Sequence, residues 1–228
     1  MEMNKKPHFF IAFTVLVSVL IGMVAFANSE KEPPSKEENF HARFVNIDNA
    51  KIRTAFIEVL AEYEELHPYE ISLIKEELKN STMQAQPIIN LGNLFSGTKR
   101  YKVQLAESVR DAEELIIAEV PRNVLKGWFA HELGHIVDYE VHSNINMIGF
   151  GLKYTFSDKF KRDCEHQADS IAIQHGFHKE IIATKKFILE NELVSEEYKE
   201  KLRKYYMPIK GVKMCLEKNP PIKPDVEL

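Results

Sequence analysis

The run Trp128-Phe129-Ala130-His131-Glu132-Leu133-Gly134-His135 lies in a segment that reads as a buried helix. Pro121 suits a first helical position, where its missing N–H is no loss. Val124, Trp128, His131 and His135 recur at helical spacing, Leu125, Phe129 and Leu133 occupy adjoining faces, and Ile136, Val137 and Tyr139 extend the apolar character. A helix apolar nearly all round is buried. His131 and His135 are four apart and so share one face. Buried polar groups without partners cost roughly 2–7 kcal/mol each, and a metal ion would satisfy these. Two imidazoles at this spacing can bind one zinc ion, with Glu132 placed to reach a water on it. Gly134 weakens the helix by about 0.5–1 kcal/mol relative to Ala; close packing of another backbone would explain it. With 9 His and 27 Glu in 228 residues, chance yields the His-Glu-x-x-His pattern about 0.04 times. The competing reading is a surface helix with two solvated histidines. The apolar flanks weigh against it.

Catalytic zinc usually takes three protein ligands and keeps a fourth position for water. Downstream, residues 160–176 read as a second helix stopped by Gly176. Glu165 and Asp169 share a face of it, and Ala168, Ala172 and Ile173 offer small apolar surface for docking. Other layouts fit less well. An eleven-residue motif ending in a third His would need Gly at the place of Asp138 and His at the place of Val141. His142 comes one residue late and points about 100° away. His166 faces away from the Glu165/Asp169 stripe. Glu165 is the preferred third ligand, with His142, His166 and Asp138 as alternatives.

His-Glu-x-x-His followed by Glu-x-x-x-Asp on a second helix resembles the gluzincin group of zinc metallopeptidases, and in scale its small single-domain members, the minigluzincins. The resemblance covers roughly residues 99–176. It implies Zn2+ held by His131, His135 and Glu165, with Glu132 as general base and Asp169 accepting the second N–H of a metal-bound His. It also implies an active-site cleft under the edge strand of a small sheet, to which an extended peptide substrate would add. A second donor to the oxyanion is expected; Tyr154, His175, Tyr205 and Tyr206 are the candidates. The expected activity is hydrolysis of peptide bonds in a protein or peptide substrate. A non-catalytic, zinc-stabilised peptide-binding module is the alternative.

Length and composition allow one domain with a proper core: 228 residues, 44% hydrophobic. A net charge of −4 and the lack of a basic cluster argue against nucleic acid. Gly149 and Gly151 lack the context of a phosphate loop. Lys5 and Lys6 precede an apolar run over residues 9–27 that closes on Ala25-Phe26-Ala27. That reads as a signal peptide, residues 1–27, or as a membrane anchor if retained. Either way the rest is expected to be exported, periplasmic or secreted, touching a membrane only through this segment. Cys164 and Cys215 fit an oxidising compartment as a disulfide, or equally as two unpaired thiols.

The expected order is a linker over 28–40, a zincin-like metallopeptidase domain over 41–218, and a tail over 219–228. Within the domain, residues 49–66 read as a helix and 70–79 as a shorter one. Strands are expected at 83–91, 101–106 and 115–120. The alternation of Tyr101, Val103 and Leu105 with Lys102 and Gln104 marks a half-buried strand; residues 101–106 are the candidate edge strand, an interior position being equally open. Residues 142–159 read as loop or short elements, and 179–191 and 195–206 as amphipathic helices with Ser195 as an N-cap. The expected class is α+β: a zincin-like small mixed sheet, an active-site helix, a glutamate helix and additional C-terminal helices.

Overall fold

Ile71, Ser72, Leu73 and Ile74 are all buried, and that unbroken burial belongs to the middle of a sheet. The computed structural model of the chain describes residues 41–79, 81–89, 100–140 and 144–221. The expected signal segment 1–27, the linker 28–40 and residues 222–228 of the tail lie outside them. Strand β1 (His41–Val45) is followed by helix α1 (Ala50–Ala61) and a 3-10 turn (Glu64–Leu66). Strand β2 (Glu70–Lys75) replaces the expected second helix. A strand covered on both sides loses the two-residue alternation, and the charged residues after it imitate a helical period. Strands β3 (Met83–Pro87) and β4 (Arg100–Leu105) complete a four-stranded sheet of order β1-β2-β4-β3.

β1, β2 and β4 run parallel, with Phe44 opposite Leu73 and Leu73 opposite Val103. β3 is antiparallel to β4, with Ala85 opposite Val103. The candidate edge strand over 101–106 is therefore interior, and β3 is an edge. Alternation reports the two faces of a strand and says nothing about which neighbours flank it. The expected strand at 115–120 divides: β5 (Ser108–Val109) and β6 (Ala112–Ile116) form a hairpin, and a 3-10 turn follows (Ile117–Glu119).

Six helices follow: α2 (Arg122–Glu140), α3 (Asn144–Phe156), α4 (Asp158–Gln174), α5 (His178–Glu190), α6 (Glu196–Tyr205) and α7 (Ile209–Lys218). α3 occupies most of the segment 142–159, expected to be loop or short elements. The Asn49, Ser157 and Ser195 side chains accept from backbone N–H groups three residues on, capping α1, α4 and α6. α7 was not anticipated; it opens after Pro208 and buries Val212. The class is α+β, with a small mixed sheet on one side of α2 and helices on the other.

α2 is the spine. Val124, Leu125, Phe129, Leu133 and Ile136 are buried along it. Phe56 of α1 meets Phe129 edge to face at 5.2 Å, and the Tyr63 hydroxyl donates to the Ala130 carbonyl at 2.7 Å. At Gly134 a Cβ would stand 2.5 Å from the Ala168 carbonyl oxygen of α4. This is the close backbone approach anticipated for that glycine. Gly176 closes α4 at φ +89°, a conformation only glycine adopts freely.

Both cysteines are free thiols. Cys164 is buried with Met147 and Phe150, whereas Cys215 Sγ lies 3.3 Å from Ser170 Oγ. Positions 164 and 170 are about 240° apart around a helix, so α7 meets a different side of α4.

Two outcomes are expected. Gly134→Ala should lower stability by about 1–3 kcal/mol, because backbone stands where the methyl would go; chemical denaturation reads this, and an unchanged midpoint contradicts the close approach. The second concerns His175, which is stacked on Tyr63 at 4.0 Å and paired with Glu65 at 2.9 Å. Burial opposes its charge, but Glu65 prevails and raises its pKa; burial also opposes the Glu65 charge, and His175 lowers that pKa. The His contribution is complete below about 6.5 and fades as pH rises through its raised folded value. The Glu contribution is complete above about 4.5 and fades as pH falls through its lowered folded value. Melting of wild type and Glu65→Gln should therefore differ most between about pH 4.5 and 6.5, by under about 1 kcal/mol because the Glu65 side chain is 42% exposed. A difference that persists unchanged to high pH contradicts the pairing.

Candidate metal centre

One face of α2 carries His131 and His135 one turn apart, and α4 brings Glu165 to meet them. His131 Nε2 is 3.0 Å and His135 Nε2 3.6 Å from Glu165 Oε2. One donor atom from each residue lies within 4.8 Å of the others, and all three residues are buried. This group could hold a metal ion. Among the described residues no other such group of three occurs, so His166 and Asp138 stand outside it; His142 lies outside the described residues.

The electrostatics are those of a charged cluster removed from water. Burial opposes the charge on Glu165, but hydrogen bonds to His131 and His135 hold its carboxyl well below the usual range. His131 Nδ1 faces Asp169 Oδ1 at 3.0 Å. Burial works against a charged His131, yet Asp169 and Glu165 outweigh it and push its pKa up to about 10. A bound cation would compete with that proton. His135 Nδ1 is buried with no hydrogen-bond partner, while its Nε2 points at Glu165.

Asp169 joins four segments. Its Oδ1 meets His131 of α2, and its Oδ2 accepts from Lys185 Nζ of α5 at 2.8 Å and from the Met207 N–H at 3.1 Å. Burial disfavours its charge, but the Lys185 ammonium and His131 lower its pKa to about 2. Lys185 is itself buried, 4% exposed. Sequence reasoning did not reach it, because the Lys185-Lys186 pair reads as a solvated face. The signal was its spacing: four after Ile181 and three before Ile188, which places it on the inward side.

Glu132 is 8% exposed. Burial raises its pKa, the two histidines lower it, Glu165 raises it, and a backbone hydrogen bond from Ala85 lowers it; the net effect is upward. Ala85 lies in β3, so the sheet edge and the Glu132 carboxylate are in direct contact. A cavity of about 60 Å³ adjoins His131 and Glu132, with Trp128, Lys185, Tyr198 and Tyr206 in its walls. A larger crevice of about 710 Å³ lies at the ends of β2 and β4, beside Lys75, Glu107 and Arg110, and includes none of the metal group.

The four candidate oxyanion donors separate. The Tyr154 hydroxyl donates to Glu165, and the Tyr206 ring is 5.3 Å from that of His131. His175 is engaged with Glu65, and Tyr205 donates to Asp158 at 2.7 Å, so neither belongs to the group.

Comparison with protein families, curated proteins and solved structures found no match.

Asp169→Ala should destabilise the protein by about 3–5 kcal/mol, because the buried Lys185 loses its counter-ion. Asp163→Ala removes an exposed pair with Lys159 and should change stability by less than about 1 kcal/mol. Equal midpoints for the two variants in denaturant would contradict the role assigned to Asp169.

Proposed function

We propose that the chain is an exported zinc-dependent metallopeptidase of gluzincin type. The convergence of His131, His135 and Glu165 beside Glu132 carries this reading. Two imidazoles and one carboxylate are a donor set that suits zinc, whereas magnesium and calcium favour oxygen alone. Ligands about 2.0–2.1 Å from a tetrahedral ion stand about 3.3 Å apart. The separations of 3.0 and 3.6 Å bracket that value. The orphaned His135 Nδ1 leaves its ring held by packing against Tyr139 and by what Nε2 binds. When bound, zinc supplies an acidified water and polarises a carbonyl.

The remaining work falls to the chain. Glu132, with its raised pKa, is a stronger proton acceptor than an ordinary carboxylate; it would take the proton of the attacking water and deliver it to the leaving amine. β3 presents an outer edge along which an extended peptide could pair. Tyr154, whose hydroxyl donates to Glu165, and Tyr206, whose ring lies beside that of His131, are the candidates to serve a developing oxyanion. Asp169 would hold His131 in the tautomer that leaves Nε2 free. A small mixed sheet, a helix bearing two histidines and a second helix bearing the glutamate support a zincin-like fold. The apolar run over 9–27 and Ala25-Phe26-Ala27 support export.

One observation favours the second reading, a non-catalytic peptide-binding module: the cavity beside Glu132 is small, and Tyr198, Leu202 and Tyr206 close one side of it.

Purified chain loaded with zinc should bind one ion and cleave peptides in a chelator-sensitive manner. Glu132→Gln should keep the ion and lose about 10²–10⁴-fold in cleavage, whereas Glu165→Gln should lose the ion. Cleavage that survives Glu132→Gln ends the catalytic reading. Retained metal with no cleavage by either form leaves the binding module.

A further inference from the structure

Glu165 is 1% exposed, so each of its two carboxylate oxygens depends on partners other than bulk water. The fold divides those oxygens between two sets of groups. Oε2 faces His131 Nε2 at 3.0 Å and His135 Nε2 at 3.6 Å, whereas Oε1 accepts from the Tyr154 hydroxyl. The Tyr154 ring is itself held from two sides. It packs against the cluster of Met147, Phe150 and Cys164. Lys161, one turn before Glu165 on α4, places its Nζ 5.1 Å from the Tyr154 ring centroid, within range of cation–π attraction. A phenol has one proton to donate, and that of Tyr154 is committed to Glu165. Tyr206 is placed differently. It lines the cavity of about 60 Å³ beside His131 and Glu132, and Tyr154 does not.

We propose that Tyr154 is a positioning residue of the metal site, acting through Glu165, and that Tyr206 is the hydroxyl that serves the substrate. By holding Oε1, Tyr154 leaves Oε2 alone turned toward the two imidazoles. A glutamate side chain has several rotatable bonds, and a carboxylate free to turn would offer either oxygen or both. Fixing it in advance lowers the ordering cost of taking up an ion. Asp169 does the same for the His131 ring. Two of the three donors are therefore oriented by a dedicated partner, one from within α4 and one from α3. Stabilising a developing oxyanion needs a donor aimed at the place where charge appears. Of the two tyrosines only Tyr206 faces the cavity beside Glu132, so the roles separate. This division presupposes the zinc site already proposed, but not that the chain is an enzyme, since it concerns how a ligand is held.

The test titrates the full chain with zinc against a chromophoric chelator and records the visible spectrum of the cobalt-loaded protein. Tyr154→Phe keeps the ring and removes the hydroxyl. It should weaken zinc binding by about 10–100-fold, the usual effect of losing a partner behind a ligand. Its cobalt spectrum should also change, because that spectrum follows coordination geometry and Oε1 is then released. Tyr206→Phe should match wild type in zinc affinity and cobalt spectrum. Unchanged affinity and spectrum in Tyr154→Phe overturn the proposal, as does an equal loss of affinity in Tyr206→Phe. Should Tyr154→Phe fail to fold, X-ray absorption at the zinc edge of the wild-type protein decides. One carboxylate oxygen at the ion is expected, and both oxygens there overturn the proposal. A wild type that binds no zinc overturns the zinc reading and this role with it. Weakened binding in Tyr154→Phe supports the role even if wild type cleaves no peptide.

Discussion

Asp169 is the point through which the helical half of the molecule is connected. A carboxylate removed from water is tolerable only with compensation from several directions. Here His131, Lys185 and the Met207 N–H provide it from α2, α5 and the segment after α6. The same contact orients the His131 ring so that Nε2 faces Glu165. The arrangement of the metal group and the packing of the helices therefore share one buried charge. Neither can be altered without the other.

The sequence was most legible where local chemistry and tertiary packing agree. His131, Glu132 and His135 share a helix, so their relation follows from the helical repeat alone. Glu165 and Asp169 were reached through the second helix and the resemblance it carried, and the structure places Glu165 against both histidines and Asp169 against His131. Ser195 and Asn49 announce helix starts by their own side chains. The reading failed where burial is two-sided. β2 lacks alternation because both faces are covered, and the strand at residues 101–106 alternates although it lies inside the sheet. α3 was missed because Gly149 and Gly151 are poor helix formers, and tertiary contacts through Met147 and Phe150 override them. Lys185 was missed because a lysine is taken as solvated until its counter-ion is known, and that counter-ion is 16 residues away in the chain.

The proposal of a zinc peptidase draws on chemistry at several scales. The donor set and its spacing favour a divalent ion of borderline character. The raised proton affinity of Glu132 suits a base, and its contact with Ala85 puts that base beside β3, the last strand of the sheet among the described residues. The small cavity and the tyrosines around it weigh toward restricted access, which a binding module or a selective enzyme would share.

The contact between Gly134 and the Ala168 carbonyl has one more consequence. Two helices that meet backbone to backbone have their separation set by main-chain atoms rather than by side-chain shape. The triangle of donor atoms inherits that fixed spacing. Apolar residues elsewhere in the core can then be exchanged for others of similar bulk over many generations while the ion-binding geometry stays put, so long as the one position without a side chain is preserved.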